Sequence, residues 1–174
     1  MSSKQASLKL RSARSVSHPV LPKVLKLDSN RGWIAVIAVM HGVSFGLALD
    51  MTLCADIRIC ASNTRFAVKE VDIGLAADIG TLTRLPKANI PMTFIKDVAL
   101  TARVFTAQEA LTVGIVSAVY DTKAEALAKA VEKAKLIASK SPVAVMGTKE
   151  VLNFSRDHSV QDGEFFMVYR SSTY

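Results

Sequence analysis

An α/β architecture follows from three features of this 174-residue chain. Trp33-Ile34-Ala35-Val36-Ile37-Ala38-Val39-Met40 is a continuous apolar run of strand length, the pattern of a strand buried on both faces. A helix-length apolar segment and a second short apolar run follow it directly, which makes a β-α-β unit. Beyond residue 106 the chain carries repeated helix start and stop signals and no linker, so the C-terminal half is expected to be helical.

The first strand ends at His41-Gly42. Residues 46–54 read as a buried helix and Ile57-Arg58-Ile59-Cys60 as the second strand, with the turn residues Ser62-Asn63-Thr64 ahead of Phe66-Ala67-Val68. Thr106-Ala107-Gln108-Glu109 is a capping box that opens a short helix, and Gly114 closes it. Thr122-Lys123-Ala124-Glu125 opens an Ala-rich helix that runs to Ser139. Ser141-Pro142 starts another, with a serine N-cap followed by proline at the first helical position. Met146 and Phe154 fall at core spacing within it and need no cofactor to explain them.

The length suits one domain, and 50% apolar content is ample for a core. The net charge of +7 suggests nucleic acid at first sight, but it is unevenly spread. Residues 1–27 contain Lys4, Lys9, Arg11, Arg14, Lys23 and Lys26 and no acid, which leaves the remaining chain nearly neutral. A basic nucleic-acid face is therefore not expected. Residues 1–33, rich in Ser and free of acid before Asp28, have the composition of a transit peptide or a disordered leader, and residues 34–174 form the expected domain. Cys54 and Cys60 show neither a disulfide framework nor metal-ligand spacing, so no metal is expected. No apolar run is long enough to cross a bilayer.

The candidate chemistry lies in three carboxylates. Asp50, Glu70 and Asp78 stand among Leu, Val, Ala and Ile, in segments expected to be buried. Burying an unpaired carboxylate costs several kcal/mol, and burial makes a carboxyl hold its proton more tightly, so three such groups are candidate proton carriers. The competing reading makes them solvated helix or strand edges.

A second motif points elsewhere. Gly42-Val43-Ser44-Phe45-Gly46 fits Gly-x-Ser-x-Gly between a predicted strand and a predicted helix, the setting of a nucleophile elbow, with Asp78 and His158 following in chain order. The same glycines equally suit a turn that brings backbone N–H groups at a helix start close to a substrate oxygen, with Ser44 a bystander. His41 beside this turn invites a general-base role, and His18 and His158 read as surface residues. Lys69, Arg84 and Lys87 are candidate phosphate contacts, or simply solvated cations.

Several stretches carry a specific resemblance. Residues 37–42, Cys54-Ala55-Asp56-Ile57-Arg58, residues 69–81, Arg84-Leu85-Pro86-Lys87, Leu100-Thr101-Ala102-Arg103, Gly114-Ile115-Val116-Ser117 and residues 139–145 together resemble the enoyl-CoA hydratase/isomerase (crotonase) superfamily, and within it the Δ3,5-Δ2,4-dienoyl-CoA isomerases. The resemblance implies a partial crotonase-like β-β-α spiral core with a helical C-terminal part. Hydratases of this superfamily carry two glutamates where this chain has Asp50 and Glu70, and usually glycine where it has Asp78. The aspartates flanking Glu70 therefore favour the dienoyl isomerase.

By that resemblance Glu70 handles the proton at carbon 2 of an acyl-CoA and Asp78 the proton at carbon 6, or the reverse, while Asp50 orients the pair. Gly46 and Leu47 supply the oxyanion-hole backbone, with the Leu47 N–H as donor. The family turn usually reads Gly-Gly-Gly where this chain has Gly46-Leu47-Ala48, so a narrower pocket is expected. No cofactor is implied, since the CoA thioester is the substrate. The resemblance further implies a homo-oligomer, a trimer or hexamer, in the mitochondrion or alternatively the peroxisome. The family's first half has no expected counterpart in residues 1–33, and the resemblance lapses after His158. An inactive crotonase fragment and an enoyl-CoA hydratase remain alternatives.

Overall fold

The computed structural model describes residues 34–171. The leader read in residues 1–33 lies outside the described residues. Within them the chain alternates short strands and helices, then becomes helical.

Strand β1 (Ile37–Met40) pairs in parallel with β3 (Ile57–Ala61), in the register Ile37 to Ile57 and Met40 to Cys60. A third parallel strand, β6 (Ala118–Tyr120), adds to the far edge of β3. Ile59, Cys60 and Ala61 at the centre of this sheet are fully buried, the outcome expected of a parallel sheet with layers on both faces. The crossover from β1 to β3 includes helix α1 (Leu47–Leu53), as the β-α-β reading anticipated.

Besides β6, which falls in the half expected to be helical, two further strands were not anticipated, Val43–Phe45 and Phe105–Thr106. Val43–Phe45 forms β2, which pairs in parallel with β4 (Arg65–Ala67); β4 in turn pairs antiparallel with β5 (Phe105–Thr106). Each turn of the chain thus gives its first strand to one sheet and its second to another, β1 with β3 and β2 with β4. This is the β-β-α spiral that the resemblance implies. Gly42 and Gly46 bracket β2 at φ 62° and 51°, so the chain makes a sharp turn on each side of it.

The core lies beneath these turns. Met40, Leu49, Leu53, Phe66, Val68, Leu85, Ile95, Val98, Phe105 and Ile115 form one buried cluster. Phe66 stacks on Phe105 with ring centroids 5.3 Å apart, and Phe94 meets Phe105 edge-on at 5.4 Å. Helices α2 (Thr81–Arg84) and α3 (Met92–Thr101) bring Leu85, Ile95 and Val98 to this cluster.

The predicted caps are in place. Thr106 accepts the Glu109 N–H at 3.2 Å and Glu109 accepts the Thr106 N–H at 2.8 Å, opening α4 (Ala107–Thr112). The Thr106 N–H is the main cause that holds the Glu109 carboxyl below its ordinary range, and Arg103 adds to it. Thr106→Ala is expected to cost about 1 kcal/mol, a fall of a few degrees in the unfolding midpoint of a thermal scan; an unchanged midpoint would deny the cap its role.

Helix α5 (Lys123–Ala138) packs on β1 and β3, with its N-cap Thr122 accepting the Glu125 N–H. Helices α6 (Pro142–Ser155) and α7 (Val160–Ser171) pack on each other through Phe154 and Phe166, stacked at 4.2 Å. Lys149 of α6 is buried. Its ammonium donates to the Ile34 carbonyl and to Asp56 Oδ2, both at 2.8 Å, and ties α6 to the residues that lead into β1 and β3. No described helix is long and apolar enough to cross a membrane.

Candidate active site

The turn between β2 and α1 decides the local geometry. Gly46 sits at φ 51° and ψ −121°, outside the regions open to residues with a side chain. Its carbonyl accepts the N–H groups of Leu49 at 2.8 Å and Asp50 at 3.1 Å, which starts the helix. Its own N–H donates to the Ala67 carbonyl at 3.0 Å. Gly46 therefore shapes the turn without offering a free donor of its own, because its N–H serves the junction between the two strands. Leu47, the first residue of α1, has no acceptor for its N–H within the helix and retains the capacity to donate.

Glu70 closes on this turn. It opens a 3-10 turn, Glu70–Ile73, directly after β4 and Val68-Lys69, and Gly74 ends that turn at φ 76°. Glu70 Oε1 lies 3.0 Å from the point a Cβ on Gly46 would occupy. Its other oxygen, Oε2, is buried without a hydrogen-bond partner. Buried polar atoms are rarely left unpaired in a stable fold, so such an oxygen calls for an explanation.

Asp50 is the most deeply placed of the three acids, only 1% exposed. Its Oδ1 accepts the Thr81 N–H at 2.5 Å and also the Thr81 hydroxyl. Asp78 differs. It is exposed, on the segment that leads into α2, and Val71, Ile73, Leu75 and Ile79 around it are exposed as well. The expectation of three carboxylates in buried segments thus holds for Asp50, half holds for Glu70 and fails for Asp78. Apolar neighbours in sequence do not imply burial: Ala77 alone in this stretch reaches the core.

The structure removes the hydrolase alternative. Ser44 is the middle residue of β2, 5% exposed and in register with Phe66, so it is not the apex of an elbow. The sharp turn falls at Gly46 instead. His158 lies between α6 and α7, stacked on Phe154 at 3.7 Å with Nδ1 against the Phe154 carbonyl. His41 is exposed. The Cys60 thiol is pushed up by burial, an effect opposed by a hydrogen bond with Thr64, and a neutral buried thiol is no nucleophile.

The three candidate phosphate contacts have partners within the chain. Lys69 pairs with Asp72 and Lys87 with Asp157, each at 2.9 Å, and Arg84 Nη1 donates to the Ile79 carbonyl at 3.2 Å. Arg84 and Lys87 also line a cleft of about 640 Å³ between α5, α6 and the parallel sheet. None of the three acids lines it.

A family model described as enoyl-CoA hydratase/isomerase matches residues 5–164. The chain belongs to the enoyl-CoA hydratase/isomerase family. The match takes in much of the segment read as a leader.

Among curated relatives, the mitochondrial Δ(3,5)-Δ(2,4)-dienoyl-CoA isomerase of Homo sapiens is 50% identical over 73% of this chain and 39% of its own length. The peroxisomal isomerase of the same name from Arabidopsis thaliana is 43% identical over 74% of this chain and 46% of its own. The carnitinyl-CoA dehydratase of Salmonella arizonae is 38% identical over 74% of this chain and 48% of its own. The chain therefore spans less than half the length of these curated relatives.

Solved structures agree on the fold. The enoyl-CoA hydratase of Bacillus anthracis superposes with a TM-score of 0.78 at 27% identity, over 83% of this chain and 55% of that one. An enoyl-CoA hydratase/isomerase from Cupriavidus metallidurans gives 0.77 at 28% identity, over 83% and 54%. Sequence reasoning missed Thr81 at the site; the only signal for it was its position just after Gly80.

Proposed function

We propose that this chain carries the proton-transfer half of a dienoyl-CoA isomerase, moving the double bonds of a 3,5-dienoyl-CoA to the 2,4 positions. One observation carries the reading above the rest: the Glu70 carboxylate, with an unpartnered buried oxygen, lies against the Gly46 turn where Leu47 keeps a backbone donor.

The chemistry needs two separated acid–base groups. A proton leaves carbon 2 and its electron pair forms the 2,3 double bond. The 3,4 double bond shifts to 4,5, and the 5,6 double bond opens as its electron pair takes up a proton at carbon 6. The conjugated enolate intermediate bears its charge on the thioester oxygen. A preorganised N–H aimed at that oxygen is worth roughly 3–4 kcal/mol, and Leu47 is the candidate donor. Carbon 2 adjoins the thioester carbonyl, so the carboxylate beside the turn, Glu70, suits carbon 2. Asp78 on the next segment suits carbon 6. Asp50 is withdrawn from solvent and held by Thr81, which suits an orienting role. No cofactor enters these steps.

The dehydratase relative favours a second reading, addition or removal of water across an enoyl-CoA. Asp78 argues against it, since by resemblance hydratases usually have glycine there. The two readings separate in one assay. Isomerisation brings the diene into conjugation with the thioester and raises near-ultraviolet absorbance, whereas hydration of a 2-enoyl-CoA lowers it. Hydration without isomerisation would replace the first reading with the second.

The names of the isomerase relatives support a mitochondrial location for this chain, with the peroxisome as the alternative, and an acyl-CoA as its ligand. By the same resemblance the working assembly is a homo-oligomer, and sedimentation at the concentration of the assay tests that. A fluorescent fusion of the whole chain is expected to co-localise with a mitochondrial marker; a diffuse signal would refute the location.

A further inference from the structure

Residues 78–81 carry Asp78 into α2 through a tight bend, and three contacts hold the bend. Gly80 adopts φ 146°, and the Arg84 guanidinium fills the space a side chain there would need, its Nη1 1.5 Å from the position of a Cβ. Arg84 Nη1 also donates to the Ile79 carbonyl. The third contact is Thr81. Its N–H and its hydroxyl both donate to Oδ1 of Asp50, thirty-one residues away in sequence.

Thr81 is 2% exposed and Asp50 1%, so water does not compete for either group. As the first residue of α2, Thr81 has no helical acceptor for its N–H, and the carboxylate supplies one. Asp50 is itself fixed at its other end, because its N–H donates to the Gly46 carbonyl. A continuous chain of hydrogen bonds therefore runs from the Gly46 turn, through Asp50, to the segment that bears Asp78. An Asp50 oxygen that accepts two donors is poorly suited to deliver a proton to a substrate, since a proton on that oxygen would oppose both.

We propose that Thr81 is a positioning residue for the isomerisation, its hydroxyl and N–H clamping the Asp78 segment to Asp50 at a set distance from the Gly46 turn. The inference rests on the reading that Glu70 and Asp78 exchange the two protons. It assigns Asp50 an anchoring role and makes Thr81 the residue through which the anchor acts.

The test compares Thr81→Val, which keeps the shape and loses the hydroxyl, with Thr81→Ser, which restores a donor. Two readouts are taken on the full chain: kcat and KM with a 3,5-dienoyl-CoA, and amide exchange of Ile79, Gly80 and Thr81 by nuclear magnetic resonance. Thr81→Val is expected to lower kcat about tenfold at near-constant KM and to speed exchange of those amides by a similar factor, the scale of one lost hydrogen bond. Thr81→Ser should recover both. Asp50→Asn keeps an acceptor of the same shape with no charge, and should give an intermediate acceleration should the valine variant fold poorly.

Glu70→Gln separates this inference from the reading beneath it. It is expected to slow turnover while leaving exchange at residues 79–81 unchanged. If Glu70→Gln turns over as fast as the parent, the proton-transfer reading fails, and the exchange rates still report whether the clamp exists. If Thr81→Val matches the parent in exchange and in kcat, the clamp is overturned.

Discussion

Glu70→Gln is expected to lower the rate of dienoyl-CoA isomerisation by 10²- to 10⁴-fold, and Asp78→Asn by a similar factor, the range by which positioned general acids and bases contribute. The amide replaces the carboxylate atom for atom and cannot take up a proton from carbon. Glu70 Oε1 stands 3.0 Å from the point a Gly46 Cβ would occupy; glutamine fits the same space and the loss should fall on kcat. Stability should change little for a different reason at each site. Glu70 Oε2 has no partner to lose, and Asp78 is exposed. The two losses need not add, because both groups act on one reaction coordinate and the slower step masks the other. Ultraviolet kinetics on the parent and both single variants decide the matter, and unchanged rates in both would remove these carboxylates from the mechanism.

The long-range pattern of the fold was legible in sequence, and its shortest parts were not. Buried parallel strands announce themselves as apolar runs, which is why Ile37–Met40 and Ile57–Ala61 were readable. Capping chemistry is equally local, and Thr106, Thr122 and Ser141 all cap as their neighbours require. Strand β2 is three residues long, too short for any period, and its glycine brackets imitate a nucleophile motif. At the site, the Gly46 N–H is bound to Ala67, a partner twenty-one residues away that no local pattern reveals. The Asp50–Thr81 contact was invisible for the same reason. Burial at Val71 and over most of residues 75–80 was overestimated because apolar composition fixes which residues can be buried and not what covers them.

Gly46→Ala is expected to lower both stability and turnover, and Gly42→Ala only stability. Both glycines have positive φ, 51° and 62°, so an alanine strains the backbone at either position, by about 1–3 kcal/mol at such sparsely populated angles. Their surroundings differ. A Cβ on Gly42 meets nothing within 4 Å, whereas a Cβ on Gly46 comes within 3.0 Å of Glu70 Oε1 and must push the carboxylate aside by a few tenths of an ångström. Displacing a reacting group by as much as 1 Å costs on the order of 10²-fold in rate, so a shift of this smaller size should cost roughly tenfold. Strain at Gly46 also tilts the start of α1, and with it the Leu47 N–H, in the same direction of loss. The pair of variants isolates the contact from the strain. Denaturant unfolding should register a drop for both, and the isomerase assay a drop for Gly46→Ala alone. Equal turnover in the two variants would mean that the approach of Glu70 to this turn has no part in catalysis.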